Sequence, residues 1–157
     1  MLQTQTPMPV LPESLRALIG VRKTRQCLVT ARDIKRFAQA IGAPSPSDSD
    51  EALLAPALFC QTMTFEDLPI EALPADGSPA ELDLPLPARR VVGGGSEYVI
   101  NRRVRAGEVI TVVSRLKDVV PRQGKSGLLY LLVVETGFTD QKGCPVATEV
   151  ATYIKRP

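Results

Sequence analysis

The alternation of apolar and polar positions divides the chain into a helical front and an extended back. In the front, residues 12–19 predict a short helix, with Pro12 in its first turn, Leu15, Leu18 and Ile19 inward, and Gly20 just past its end. Residues 22–29 read as a strand. Thr30 then caps a second helix, with Asp33 in the capping-box position. Ile34, Phe37, Ala38 and Ile41 form its apolar face and Gly42 ends it, before a polar loop over residues 43–50. A third helix is predicted from Pro56 to about Glu66. Its apolar residues Ala57, Leu58, Phe59, Cys60, Met63 and Phe65 go almost all round the axis, which predicts enclosure by protein. Residues 67–95, with five prolines and the run Gly93-Gly94-Gly95, predict a long excursion.

The back predicts four strands joined by short turns: residues 96–104, residues 108–120 stopped by Pro121, residues 127–138, and residues 145–155. Such a series is an antiparallel meander. Residues 128–134 (Leu-Leu-Tyr-Leu-Leu-Val-Val) do not alternate, which predicts a strand covered on both faces. One buried helix covers one face. The chain has little left for the other, so a second sheet-bearing subunit is expected there.

Composition narrows the chemistry. At 157 residues the chain suits one domain with its own core. A net charge of +2 offers no field that would draw nucleic acid or a membrane surface, so neither partner is expected. The absence of histidine excludes, from this chain alone, a Ser-His-Asp triad, a Cys-His pair, an HExxH zinc site and a histidine base. Cys27, Cys60 and Cys144 are far apart and form no CxxC pair, so neither a disulfide framework nor a zinc knuckle is expected. No signal-peptide pattern and no membrane-length apolar run is present, and a cytoplasmic location is expected.

Three stretches carry a resemblance: "VTARDIKRFAQAIGAPSPSDSDE" over residues 29–51, "APALF" over 55–59, and "NRRVRAGEVITVVSRLKDVVPRQGKSGLLYLLVVETGFTDQKGCPVAT" over 101–148. Together they resemble the MaoC-like dehydratase family, most closely the N-terminal half of its two-domain members. The resemblance implies an α+β chain with a single hot-dog fold, an antiparallel sheet wrapped around a buried central helix. It implies an N-terminal extension with a short helix over residues 1–20 and the hot-dog domain over residues 21–157. Active members hydrate enoyl thioesters, or dehydrate 3-hydroxyacyl thioesters, carried on coenzyme A or acyl carrier protein. Their signature, Gly-Asp-x-Asn-Pro-x-His, follows a glycine-terminated helix. Here Ala43 stands at the aspartate position and Asp48 at the histidine position. The resemblance therefore implies a degenerate half: a non-catalytic subunit that shapes the acyl tunnel beside a histidine-bearing hot-dog partner. A heteromer is expected and a homodimer stays open. No cofactor is implied beyond the coenzyme A of the substrate, and no metal.

The implied substrate-binding residues are Pro56, Ala57, Leu58, Phe59, Met63, Arg90 and Arg103. The N–H groups of Ala57 and Leu58 either face a thioester carbonyl or meet water as ordinary helix ends do. Among the basic residues Arg89, Arg90, Arg102, Arg103, Arg105 and Lys125, an arginine either grips coenzyme A phosphates or is a solvated or interface charge. Phe59, Met63 and Phe65 serve the core, the tunnel, or both. The three glycines give a flexible strand entry or room for a close neighbour; the context of a phosphate loop is missing. Two other readings stay open. One is a thioesterase using Glu66 or Asp67 to activate water, and the other is a binding module without chemistry.

Overall fold

The computed structural model describes residues 10–44, 53–74, 79, 82–88, 90–125 and 127–157. A short helix α1 (Glu13–Arg16) leads to strand β1 (Arg22–Leu28) and helix α2 (Ala31–Ala40). Two 3-10 helices follow, Ala57–Met63 and Ile70–Ala72. Strands β2 (Arg90–Ile100), β3 (Val109–Gly124), β4 (Gly127–Thr139) and β5 (Pro145–Arg156) complete the chain. The five strands form one antiparallel sheet in the order β1-β3-β4-β5-β2. This is the hot-dog arrangement.

Helix α2 begins as its residues dictate. The Thr30 side chain accepts from the Asp33 N–H at 3.1 Å, and Ile34 and Ala38 are buried. Ile41, expected inward, is 55% exposed because it is the cap residue that leaves the helix. Gly42 then turns the chain at φ +67°.

The central helix departs from expectation. It is a seven-residue 3-10 helix, with Phe59, Cys60 and Met63 buried and Leu58 46% exposed. Contacts at its end explain the stop. The Arg25 guanidinium donates to the Met63 carbonyl, and Thr64 Oγ1 donates to Glu149 Oε2 on β5 at 3.1 Å. The first takes a carbonyl that a continuing turn would need, the second pins the Thr64 side chain to the sheet, and the β-branched Thr62 and Thr64 favour helix weakly.

Because the helix is short, two separate clusters cover the inner sheet face. At one end Val29, Ile34, Phe59, Met63, Ile110, Val112, Phe138 and Val146 pack together. At the other, Leu15, Leu82, Ala88, Val119, Tyr130 and Leu132 form a second core under α1 and residues 82–88. Lys155, 3% exposed, reaches from β5 to the Leu84 carbonyl at 3.4 Å.

Pairing corrects the strand assignments: β2 lies beside β5 and not beside β3, so only β3, β4 and β5 form a meander. Strand β3 continues through Pro121, which sits where β1 no longer pairs with β3, so its missing N–H breaks no β1 ladder. Gly93, Gly94 and Gly95 belong to β2, with a bulge between Gly93 and Gly95, and the strand ends at Ile100 rather than running to residue 104. In β4 burial does alternate: Tyr130, Leu132, Thr136 and Phe138 are buried, while Leu129, Leu131 and Val133 face outward and are half-buried.

Candidate functional site

Three cavities converge on one side chain, Phe65. The largest, about 700 Å³, lies between β1, α2 and the 3-10 helix and is lined by Cys27, Phe37, Phe59, Met63 and Phe65, with Arg25 and Arg36 among its polar groups. Phe59 meets Phe37 edge-on, ring centres 5.7 Å apart. Glu66 and Asp67 line the same cleft. A second cavity of about 470 Å³ lies along the β2 bulge, between Gln61, Thr64, Gly93–Gly95, Ser96, Glu149 and Phe65. The third, about 280 Å³, is a mainly apolar chamber under residues 82–85, walled by Leu18, Leu82, Leu84, Leu116, Val134 and Phe65, with Lys23, Asp83 and Arg115 also in its lining.

The polar groups are sharply arranged. Glu149 is 2% exposed and holds Thr64, itself buried. Tyr98, its cross-strand neighbour on β2, has an enclosed hydroxyl near Glu149 and Thr64 that no described residue meets with well-formed hydrogen-bond geometry. Burial first, and then the Glu149 carboxylate, push its phenol well above the ordinary value, so it stays protonated.

The residues singled out in sequence scatter among several roles. Phe59 and Met63 line the large cleft as well as the core. Pro56, Ala57 and Leu58 open the 3-10 helix, with Ala57 and Leu58 exposed. Arg103 is committed to backbone: Nε donates to the Ala55 carbonyl at 2.5 Å and a second nitrogen reaches the Leu54 carbonyl at 3.4 Å. It fixes the lead into the 3-10 helix, together with the Ala55 N–H bonded to the Val104 carbonyl. Arg102 pairs with Glu108 and Asp140 at 3.1 and 2.9 Å, tying the start of β3 to the β4–β5 turn. Arg90 is exposed on β2, opposite Arg156. Ala43 lies half-buried just beyond α2, its N–H bonded to the Ala38 carbonyl. Asp48 and Arg89 fall outside the described residues.

Glu149 and Thr64 went unnoticed in sequence. The only signal available was the alternation of β5, where Ala147, Glu149, Ala151 and Lys155 share the inner face.

A five-stranded sheet wrapped over a short helix defines a hot-dog protein, and the comparisons refine the class. Residues 17–149 match the family described as FAS1-like, dehydratase domain region. The chain belongs to this family of MaoC-like hot-dog dehydratase domains. A UPF0336 protein of Clavibacter michiganensis is 26% identical over 149 residues, covering 94% of this chain and 91% of the relative. Among solved structures, the ChsH1–ChsH2 complex of Mycobacterium tuberculosis matches with a TM-score of 0.71 at 19% identity, over 92% of this chain and 94% of that one. The HadBC (3R-hydroxyacyl-ACP dehydratase) complex of the same organism matches with a TM-score of 0.64 at 18% identity, over 87% and 96%. No helix among the described residues is long and apolar enough to cross a membrane.

Proposed function

We propose that this chain is the non-catalytic subunit of a heteromeric enoyl-thioester hydratase or 3-hydroxyacyl-thioester dehydratase. It shapes the tunnel for the acyl group while a hot-dog partner supplies the Asp/His pair. One observation carries the reading: the dehydratase fold is present, yet Ala43 follows α2 where the family's acid belongs, and the sequence holds no histidine. Alanine has no proton to exchange, so water cannot be activated at that place. The short central helix supports the assignment, because the space it leaves is the mainly apolar chamber under residues 82–85, fit for an aliphatic chain.

The outer sheet face supports a partner. Val120, Leu131, Ile154 and Val92 stand in register across β3, β4, β5 and β2, forming an outward apolar row, with Val92 40% exposed. Apolar rows of this kind on a sheet face favour cover by another protein surface. The similarity to two complexes, HadBC and ChsH1–ChsH2, is consistent with that.

The test is co-expression with a hot-dog protein carrying Gly-Asp-x-Asn-Pro-x-His, followed by co-purification and an enoyl-CoA hydration assay. The isolated chain is expected to be inactive and the pair active. Hydration by the isolated chain, or a partner whose activity ignores this chain, would overturn the proposal.

A second reading rests on Glu66 and Asp67, which share the large cleft with Phe59 and Met63. It makes the chain a thioesterase. Acyl-CoA hydrolysis lost in a Glu66→Gln, Asp67→Asn double variant would favour it, and absence of hydrolysis by the unmodified chain disposes of it.

A further inference from the structure

Phe65 belongs to no motif of the family resemblance, yet it is the one residue common to all three cavities. Its neighbour Thr64 walls two of them. The two residues follow the end of the 3-10 helix, where the bond from Thr64 to Glu149 anchors the chain to β5. The Phe65 ring lies against Tyr153, centres 6.1 Å apart and planes inclined by 62°. An aromatic side chain braced on a strand neighbour makes a firm wall. The ring lines the mainly apolar chamber, whose walls also include Lys23, Asp83 and Arg115, and it lines the two cavities that hold Gln61, Glu149, Arg25 and Arg36.

We infer that Phe65 is the specificity-determining residue that limits the length of the acyl chain the chamber accepts. The inference rests on the tunnel-shaping role proposed above and deepens it. A saturated chain lying in the chamber is stopped by the Phe65 ring, beyond which the larger cleft offers Phe37, Phe59 and Met63 beside its charged groups. Removing the ring joins the chamber to the neighbouring cavities, so a longer chain gains apolar burial before it meets those groups. Each further buried methylene is worth roughly fourfold in affinity. A gain of about four methylenes would therefore amount to roughly 250-fold for the longest chains.

The experiment is isothermal titration of the full chain with saturated acyl-CoAs from butyryl to palmitoyl, all below their micellar concentrations. For the unaltered protein, affinity should climb with chain length and then level off. In Phe65→Ala the plateau should move to longer chains, with binding of the longest raised roughly 250-fold. Phe65→Leu, which keeps an apolar side chain in the core, should shift it part of the way and serves if the alanine variant does not melt cooperatively. Val134→Phe, which fills the chamber from the sheet side, should move the plateau to shorter chains. An unchanged plateau in folded Phe65→Ala and Phe65→Leu, with Val134→Phe still shortening it, overturns the role of Phe65 and leaves the chamber standing. Absence of acyl-CoA binding at every length overturns the chamber and the Phe65 assignment together.

Discussion

Three consecutive glycines in β2 offer a test in which neighbouring, chemically identical substitutions should behave oppositely. Gly94 is the extra residue of the bulge, between the Gly93–Tyr153 and Gly95–Thr152 pairs. A methyl group placed there would lie 2.9 Å from the Thr152 carbonyl oxygen and 3.3 Å from its Cγ2. The first contact is to backbone, so the strand itself must shift, and overpacking of this kind costs about 1–3 kcal/mol. At Gly93 the same methyl meets nothing within 4 Å. There alanine only restricts the unfolded chain and favours the strand, a gain of roughly 0.5–1 kcal/mol. Gly94→Ala and Gly93→Ala should thus differ by about 2 kcal/mol or more. In a domain of this size that corresponds to a gap in Tm of roughly 4–8 °C. Thermal melts followed by circular dichroism, with urea midpoints as a second measure, read the difference directly. If the two variants melt together, the close approach of β2 to the Thr152 carbonyl is wrong, and with it the bulge.

Two further expectations follow from ionisable groups. Lys117 and then Arg115 hold the Glu135 carboxyl below its ordinary value of 4.5, at 3.0 and 2.5 Å. A lowered folded pKa gives stability that is fully present above 4.5 and is lost as pH falls through the folded value. The Tm difference between the unaltered protein and Glu135→Gln should therefore be largest at neutral pH and close in acid; a gap that stays constant from neutral pH into strong acid would refute the pairing. Burial pushes the Cys60 thiol up to about 11, whereas Cys144 is exposed. Ellman's reagent at pH 8 should label Cys144 in the native protein and reach Cys60 only in denaturant; equal labelling rates of all three cysteines would contradict the buried position of Cys60.

Legibility varied with how local the cause was. The N-terminus of α2 was readable because Thr30 and Asp33 cap it within one turn. The β3–β4–β5 meander was readable because its turns carry glycine, as at Gly127 and Gly143, both at positive φ, whereas the pairing of β2 with the distant β5 left no local signal. The length of the central helix was not, since its end is set by Arg25 and Glu149, 38 and 85 residues away from their partners. Pattern reading also misleads in β5. Its β-branched set, Val150, Thr152 and Ile154, faces outward, while Glu149 and Lys155 are buried inside. Hydrophobicity alone would have chosen the opposite face. The missing acid at Ala43 was legible in full, because it is a matter of residue identity. The convergence of three cavities on Phe65 was not, because it depends on where α1, residues 82–88 and β2 come together.

The sheet order has a consequence for biosynthesis. Strand β5 lies between β4 and β2, although it is the last of the five to leave the ribosome. Until it emerges, β2 has no neighbour to pair with, and both its edges, including Val92, Val99 and Ile100, stay open to any other strand. Lys155, which fastens the Leu84 carbonyl over the chamber, arrives later still. For the roughly 45 residues of synthesis between β2 and β5 the nascent chain thus carries an unpaired, adhesive strand.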